Sequence, residues 1–220
     1  MMASTLITTK IFFLILLVGF TSFDDAQAHP TSYEGSVGIM GRHSPGLNHV
    51  QINYSWRYWA ASGLHYFKAP EISSESDAAY VSANFLLRRW NTKKLQANLY
   101  FAGGPGLSRL QGKSKNSGMG LVQFDIEDRR LYFLAKHQIL FNKDDYELQL
   151  GTIRFGIAPY VAPAGDIHTW LIAEYSAKNY RHHRGNEDVT TLLRFFYKNM
   201  LFEIGQSFKG ETKFNYITHI

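Results

Sequence analysis

The feature that most restricts what this chain can become is a two-residue period. Val50, Ile52, Tyr54 and Trp56 alternate with Gln51, Asn53, Ser55 and Arg57, as do Leu95, Ala97, Leu99 and Phe101 with Gln96, Asn98 and Tyr100. In a strand, residues i and i+2 share a face, so each such segment is a strand with one apolar and one polar side. The pattern recurs in runs of about ten residues between turn-forming clusters. Twelve segments result, at about 32–41, 47–57, 59–69, 79–90, 94–106, 118–127, 130–141, 145–158, 167–179, 188–198, 200–208 and 211–220. Between 145 and 158 the apolar residues change parity, from Tyr146, Leu148 and Leu150 to Ile153, Phe155 and Ile157, and a bulge near Gly151 would produce that change.

Soluble sandwiches and lipocalin-like barrels alternate too, but their polar face is the outer one. Here the apolar faces carry aromatic residues near strand ends and the polar faces carry isolated charges of both signs, which suits lipid outside and water inside. Aromatic residues form 15% of the chain, in keeping with girdles at two lipid interfaces. The joins alternate as well. Those at 57–59, 91–94, 128–130 and 198–199 are tight, while 42–46, 70–78, 107–117 and 180–187 are longer and polar. The expected fold is therefore all-β: a closed antiparallel transmembrane β-barrel of about 12 strands, with 10 as the alternative count, in the bacterial outer membrane.

Two joins depart from that layout, 159–166 being long for a periplasmic turn and 142–145 short for an outer loop. Gly103-Gly104-Pro105-Gly106 has no helix after it to make a phosphate site, and is expected to end a strand and bend it into an outer loop. The end of the chain, with Phe214, Tyr216 and Ile220 at alternating positions, resembles the signal by which the barrel-assembly machinery recognises outer-membrane proteins. A terminal Ile stands where those proteins more often have Phe.

The first 28 residues read as an address. Lys10 precedes an apolar run from Ile11 to Phe20 that is too short to span a bilayer as a helix, and Ala26-Gln27-Ala28 presents the pattern a signal peptidase cuts. The chain thus divides into a cleaved signal peptide, 1–28, and a barrel domain, 29–220. It has no cysteine, which excludes disulfides and thiolate metal sites. Without the leader, 22 basic residues against 16 acidic leave a formal +6. That mild excess suits lipopolysaccharide, outer-membrane lipid or a small anionic solute as partner better than nucleic acid.

On this topology Arg57, Arg88, Asp125, Glu127, Lys136, Glu147, Arg154, Glu174, Arg194 and Glu203 face the lumen. They either pair across neighbouring strands and stiffen the wall, or line a conduit, since eight strands already enclose an interior that side chains just fill. In size and strand count the chain resembles the small monomeric porins for acidic oligosaccharides, whose pores carry basic tracks. Arg57, Arg88, Arg154 and Arg194 are the residues such a track would use here.

Histidine offers a different chemistry. An amino-terminal His29 would present its amine and its Nδ1 to one copper ion, while Pro30 lacks the amide a longer chelate would need. His168 and His219 belong to the same end of the barrel and are the candidate further ligands; His43, His182 and His183 form a second, outer candidate group. The run from His29 through Pro30-Thr31-Ser32-Tyr33-Glu34-Gly35-Ser36, followed by Gly38-Ile39-Met40-Gly41, resembles the start of a group of proteobacterial exported proteins encoded near copper and other heavy-metal resistance genes. That resemblance implies a metal-associated role. Non-enzymatic copper handling is then the leading expectation, with a copper ion as the one candidate cofactor and none required, and a small porin for anionic solutes or oligosaccharides is the alternative. A lipid-modifying enzyme is the remaining alternative; Ser44 beside His43 and Ser176 near His182 sit in no nucleophile motif, so no enzyme is expected.

Overall fold

The computed structural model describes residues 31–69, 76–110, 113–143, 146–163, 165–180 and 183–220. They form twelve strands: β1 Val37–Ser44, β2 Leu47–Arg57, β3 Ala60–Lys68, β4 Asp77–Asn91, β5 Gln96–Leu110, β6 Lys113–Glu127, β7 Leu131–Asn142, β8 Tyr146–Ile157, β9 His168–Tyr180, β10 His183–Tyr197, β11 Met200–Ser207 and β12 Thr212–His219. Each is antiparallel to its sequence neighbours, and β1 closes the ring on β12 from Gly38↔His219 to His43↔Phe214. Closure leaves no strand edge unpaired.

The surface is inverted relative to a soluble protein. Ile52, Leu64, Val81, Val122, Phe155 and Ile204 are exposed on the outside, whereas Gln51, Asn53, Ser82, Asn84, Asn98 and Gln123 are buried inside. In water each exposed apolar side chain would forgo roughly 25 cal/mol for every Å² left unburied, so this alternation is stable only against lipid. Trp56, Tyr58, Trp59, Trp90 and Tyr197 gather exposed at the end served by the tight turns, as one aromatic girdle. The chain is an outer-membrane β-barrel. At that end the β6–β7 turn is fixed by Asp128, whose carboxylate accepts the backbone N–H groups of Arg130 and Leu131 at 2.6 and 2.7 Å; those bonds hold its pKa below the usual carboxylate range.

Three expectations are corrected by the registers. The outer joins are mostly strand: β5 pairs β6 as far as Leu110↔Lys113, β1 pairs β2 as far as Ser44↔Leu47, and β9 meets β10 at Tyr180↔His183. Polar residues there continue the ladder beyond the apolar band instead of leaving it. Gly103 to Gly106 lies within β5, and a Cβ on Gly104 would stand 1.9 Å from the Val81 carbonyl oxygen, so the glycine permits close approach of β4. Finally, no bulge interrupts β8 at Gly151, because β7 and β8 pair continuously from Leu140↔Leu148 through His137↔Gly151 to Leu131↔Ile157.

The parity change in β8 has another cause. Leu148 and Leu150 point inward, into an apolar layer, and Ile153 and Phe155 point outward to lipid. Phe67, Tyr80, Met119, Leu140, Leu148 and Tyr180 make the body of that layer and come from strands on opposite sides of the ring. Tyr180 also donates its hydroxyl to the Gly46 carbonyl in the β1–β2 turn at 3.4 Å. The lumen is therefore filled at the end away from the tight turns.

Candidate functional site: the lumen

Below the apolar layer the barrel encloses a cavity of about 1040 Å³ that opens between the turns at 92–95, 128–129 and 161–166. The long join at 159–166, anomalous as a turn, contributes Val161, Ala162 and Pro163 to that mouth. A second cavity of about 90 Å³ lies toward the apolar layer. Arg42, His49, Lys136, Arg154 and Asn215 line both, so they form the constriction between them.

One side of the lumen is charged and internally paired. Arg154 holds Glu174 through Nε and Nη2 at 2.7 and 2.6 Å and Glu203 through Nη1 at 3.1 Å. Arg194 donates Nε to Glu203 at 2.7 Å and lies 4.4 Å over the Tyr132 ring. Lys213 bridges Glu174 and Asp188, each at 3.1 Å, and Asn215 donates to Glu203 at 2.8 Å. Strands β8 to β12 place these groups on one face because all occupy the inward parity. Buried charges persist where opposite charges and hydrogen bonds replace their water, and this network does both.

The opposite side, on β2 to β4, is neutral. His49 Nε2 lies 3.1 Å from His65 Nδ1, His65 Nε2 lies 2.7 Å from Ser82 Oγ, and Ser82 donates to Asn84, which donates to Asn53. Between the two sides stand two basic groups of a third kind. Neither Arg42 nor Lys136 has a hydrogen bond or ion pair among the described residues, and Lys136 is only 7% exposed.

The structure sorts the candidates named from sequence. Asp125, Glu127, Lys136, Arg154, Glu174, Arg194 and Glu203 are on the lumen face, with Asp125 accepting from Asn98 and Gln123. Arg57 and Arg88 are not, and this is a correction. Register shifts between Ser55 and Arg57 and between Leu86 and Arg88 insert Trp56 and Leu87 as extra residues, and one extra residue turns everything after it to the other face. Arg57 instead pairs with Glu34 at the exposed rim, and Arg88 lies over Trp90 at 5.7 Å. Arg89 takes the inward position and donates to Asn98.

His29 and His182 lie outside the described residues, as do the side chains of His183 and Glu147. His43 faces outward, stacked on Phe214 and Tyr216. His168 opens β9 at the mouth, and His219 is buried on β12, three strands further round the wall. Among the described residues no group of three or more histidines and carboxylates could hold a metal ion. Sequence reasoning missed Arg42, Lys178, Asp188, His49 and His65. Arg42 fell in the stretch 42–46 expected to be a loop, and Lys178 and Asp188 at the ends of strands beside the expected loop 180–187, although continuing the two-residue parity through 42–49 and 178–188 finds these three and His49.

No protein-family model matches the chain, and no curated protein matches it. Among solved structures it is similar to the KdgM porin, at 14% identity over 84% of this chain and 97% of that one, with a TM-score of 0.48. It is also similar to the KdgM porin in complex with disordered oligogalacturonate, at 12% identity with the same coverage and score, and to the NanC porin, at 9% identity over 83% and 98% with a TM-score of 0.44. With these scores below 0.5, the functional reading rests on this chain's own lumen.

Proposed function

We propose that the barrel is a narrow, anion-preferring passage for small solutes across the outer membrane. The observation that carries this reading is the pair of cations, Arg42 and Lys136, that line both cavities at the constriction and have no hydrogen bond or ion pair among the described residues. A buried ammonium with no partner costs several kcal/mol unless water or an anion attends it. The neighbouring carboxylates Glu174 and Glu203 are already paired with Arg154, Arg194 and Lys213, so the excess positive charge between the two cavities selects for anions. Passage requires the outer apolar layer to part, and an apolar constriction closes a pore by excluding water.

Single-channel recording of refolded protein in planar bilayers tests this. The wild type should give brief, low-conductance openings with a reversal potential that favours chloride over potassium, and Arg42→Gln with Lys136→Gln should abolish that preference. Replacing Leu140 and Leu148 with serine should lengthen the openings. If neither the wild type nor that layer variant conducts, or if the selectivity is cationic, the proposal fails.

A further inference from the structure

The hydrogen bonds of the neutral side run in one direction and fix the proton positions of both histidines. Ser82 has one hydroxyl proton and gives it to Asn84 Oδ1 at 2.9 Å, so Ser82 Oγ accepts from His65 Nε2–H. His65 Nδ1 is then the acceptor of its ring and accepts a hydrogen bond from His49 Nε2–H. With both rings neutral, His49 is left with an unprotonated Nδ1. The chain continues from Asn84 to Asn53 at 2.9 Å, and each bond polarises the next in the same sense. The His49 ring is held parallel to Phe67 at 3.9 Å and to His65 at 5.3 Å between centroids. Gly63 makes room for the chain, since a Cβ there would stand 2.6 Å from Asn53 Oδ1 and 2.7 Å from Ser82 Oγ.

His49 sits directly opposite Arg42 in the β1–β2 pair and shares the constriction with Lys136. Guanidinium and ammonium groups only donate, so the free Nδ1 of His49 is an acceptor set among donors. We infer that His49 is a specificity-determining residue of the constriction and favours small anions that carry a hydroxyl donor beside their charged oxygens. Such ligands are 2-hydroxycarboxylates, or phosphate with a proton still bound. Their charged oxygens meet Arg42 and Lys136 while the hydroxyl donates to His49 Nδ1. An anion without that hydroxyl leaves the acceptor desolvated and unpaired, which is worse than never having had it.

This inference rests on the anion-passage reading and deepens it. Its test is the permeability of lactate against propionate, and of hydrogen phosphate against sulfate, from reversal potentials at mildly alkaline pH. Lactate and hydrogen phosphate should each be favoured about two- to tenfold, the worth of one hydrogen bond. His49→Phe should bring both ratios to about one, and Ser82→Ala, which removes the oxygen that fixes His65, should lower them without touching the ligand. Nitrogen-15 spectra of the imidazoles give a readout independent of conduction, with His49 protonated at Nε2 and bare at Nδ1. A wild type that prefers chloride to potassium but does not discriminate either pair overturns this inference alone; a protonated His49 Nδ1 does the same. A wild type without chloride preference overturns the passage reading beneath it.

Discussion

From β8 to β12 the lumen wall carries charge and cancels it on the spot, whereas from β2 to β4 it carries almost none and is held by neutral hydrogen bonds. The first arrangement is rigid but electrically quiet, because Arg154, Glu174, Glu203, Arg194 and Lys213 answer one another. The second is uncharged yet polar, and offers a passing solute directed donors and acceptors. The number of charges in a lumen therefore does not set its selectivity. The sign at the constriction comes from Arg42 and Lys136, which belong to neither network.

Breaking the charged side should have the largest effect. Glu203 is 2% exposed and holds Arg154, Arg194 and Asn215. Glu203→Ala leaves two buried guanidinium groups short of a partner, a loss of about 3–5 kcal/mol. The urea midpoint of the refolded barrel in lipid should fall accordingly, and the surviving fraction should be more anion-selective than the wild type. An unchanged midpoint would mean that water already solvates these groups and that the network is not what holds the wall.

The apolar layer binds the two sides together at the outer end, so its loss comes next. Leu148, 3% exposed, packs within it. Leu148→Ala should cost about 2–4 kcal/mol and raise open probability, measured by urea midpoint and by bilayer recording. The neutral side should be less sensitive. Gly63→Ala drives a methyl into hydrogen-bonded atoms of Asn53 and Ser82 and should cost about 1–3 kcal/mol, with loss of the fixed histidine tautomers in nitrogen-15 spectra. A Gly63→Ala barrel as unstable as Glu203→Ala would show that the two sides do not differ as described.

The fold was legible because alternation and closure say the same thing twelve times, and the inward places of Asp125, Arg154, Glu174 and Glu203 follow from parity alone. What parity could not show is where it is interrupted. An extra residue at Trp56 is written in no local signal, since Trp56 keeps the alternation with Ser55 and Arg57. At Leu87 the one sign is Leu86, an apolar residue on the parity of Ser82 and Asn84. In β8 the reverse happened: Leu148 and Leu150 mimic a bulge because the lumen itself turns apolar at that depth. A two-residue period reports the face, not the medium that the face meets. The chemistry of the constriction was less legible still, because His49 and Arg42 are brought together only by a β1–β2 hairpin tighter than the polar stretch at 42–46 suggests.

A rim arginine should matter least. Arg57 is 59% exposed at its side chain and pairs with Glu34, itself 62% exposed, outside the lumen. An ion pair so open to water is worth under about 1 kcal/mol, so Arg57→Ala should shift the urea midpoint barely, and should leave the chloride preference unchanged where Arg42→Gln lowers it. The two arginines are close in sequence and alike in chemistry; they differ by the face to which the bulge at Trp56 assigns one of them. Should Arg57→Ala reduce anion selectivity as Arg42→Gln does, the bulge would have to be elsewhere and β2 would present its arginine to the lumen. Equal midpoints and unequal selectivities for the two variants would instead show that one extra residue in a strand separates a rim ion pair from a selectivity filter.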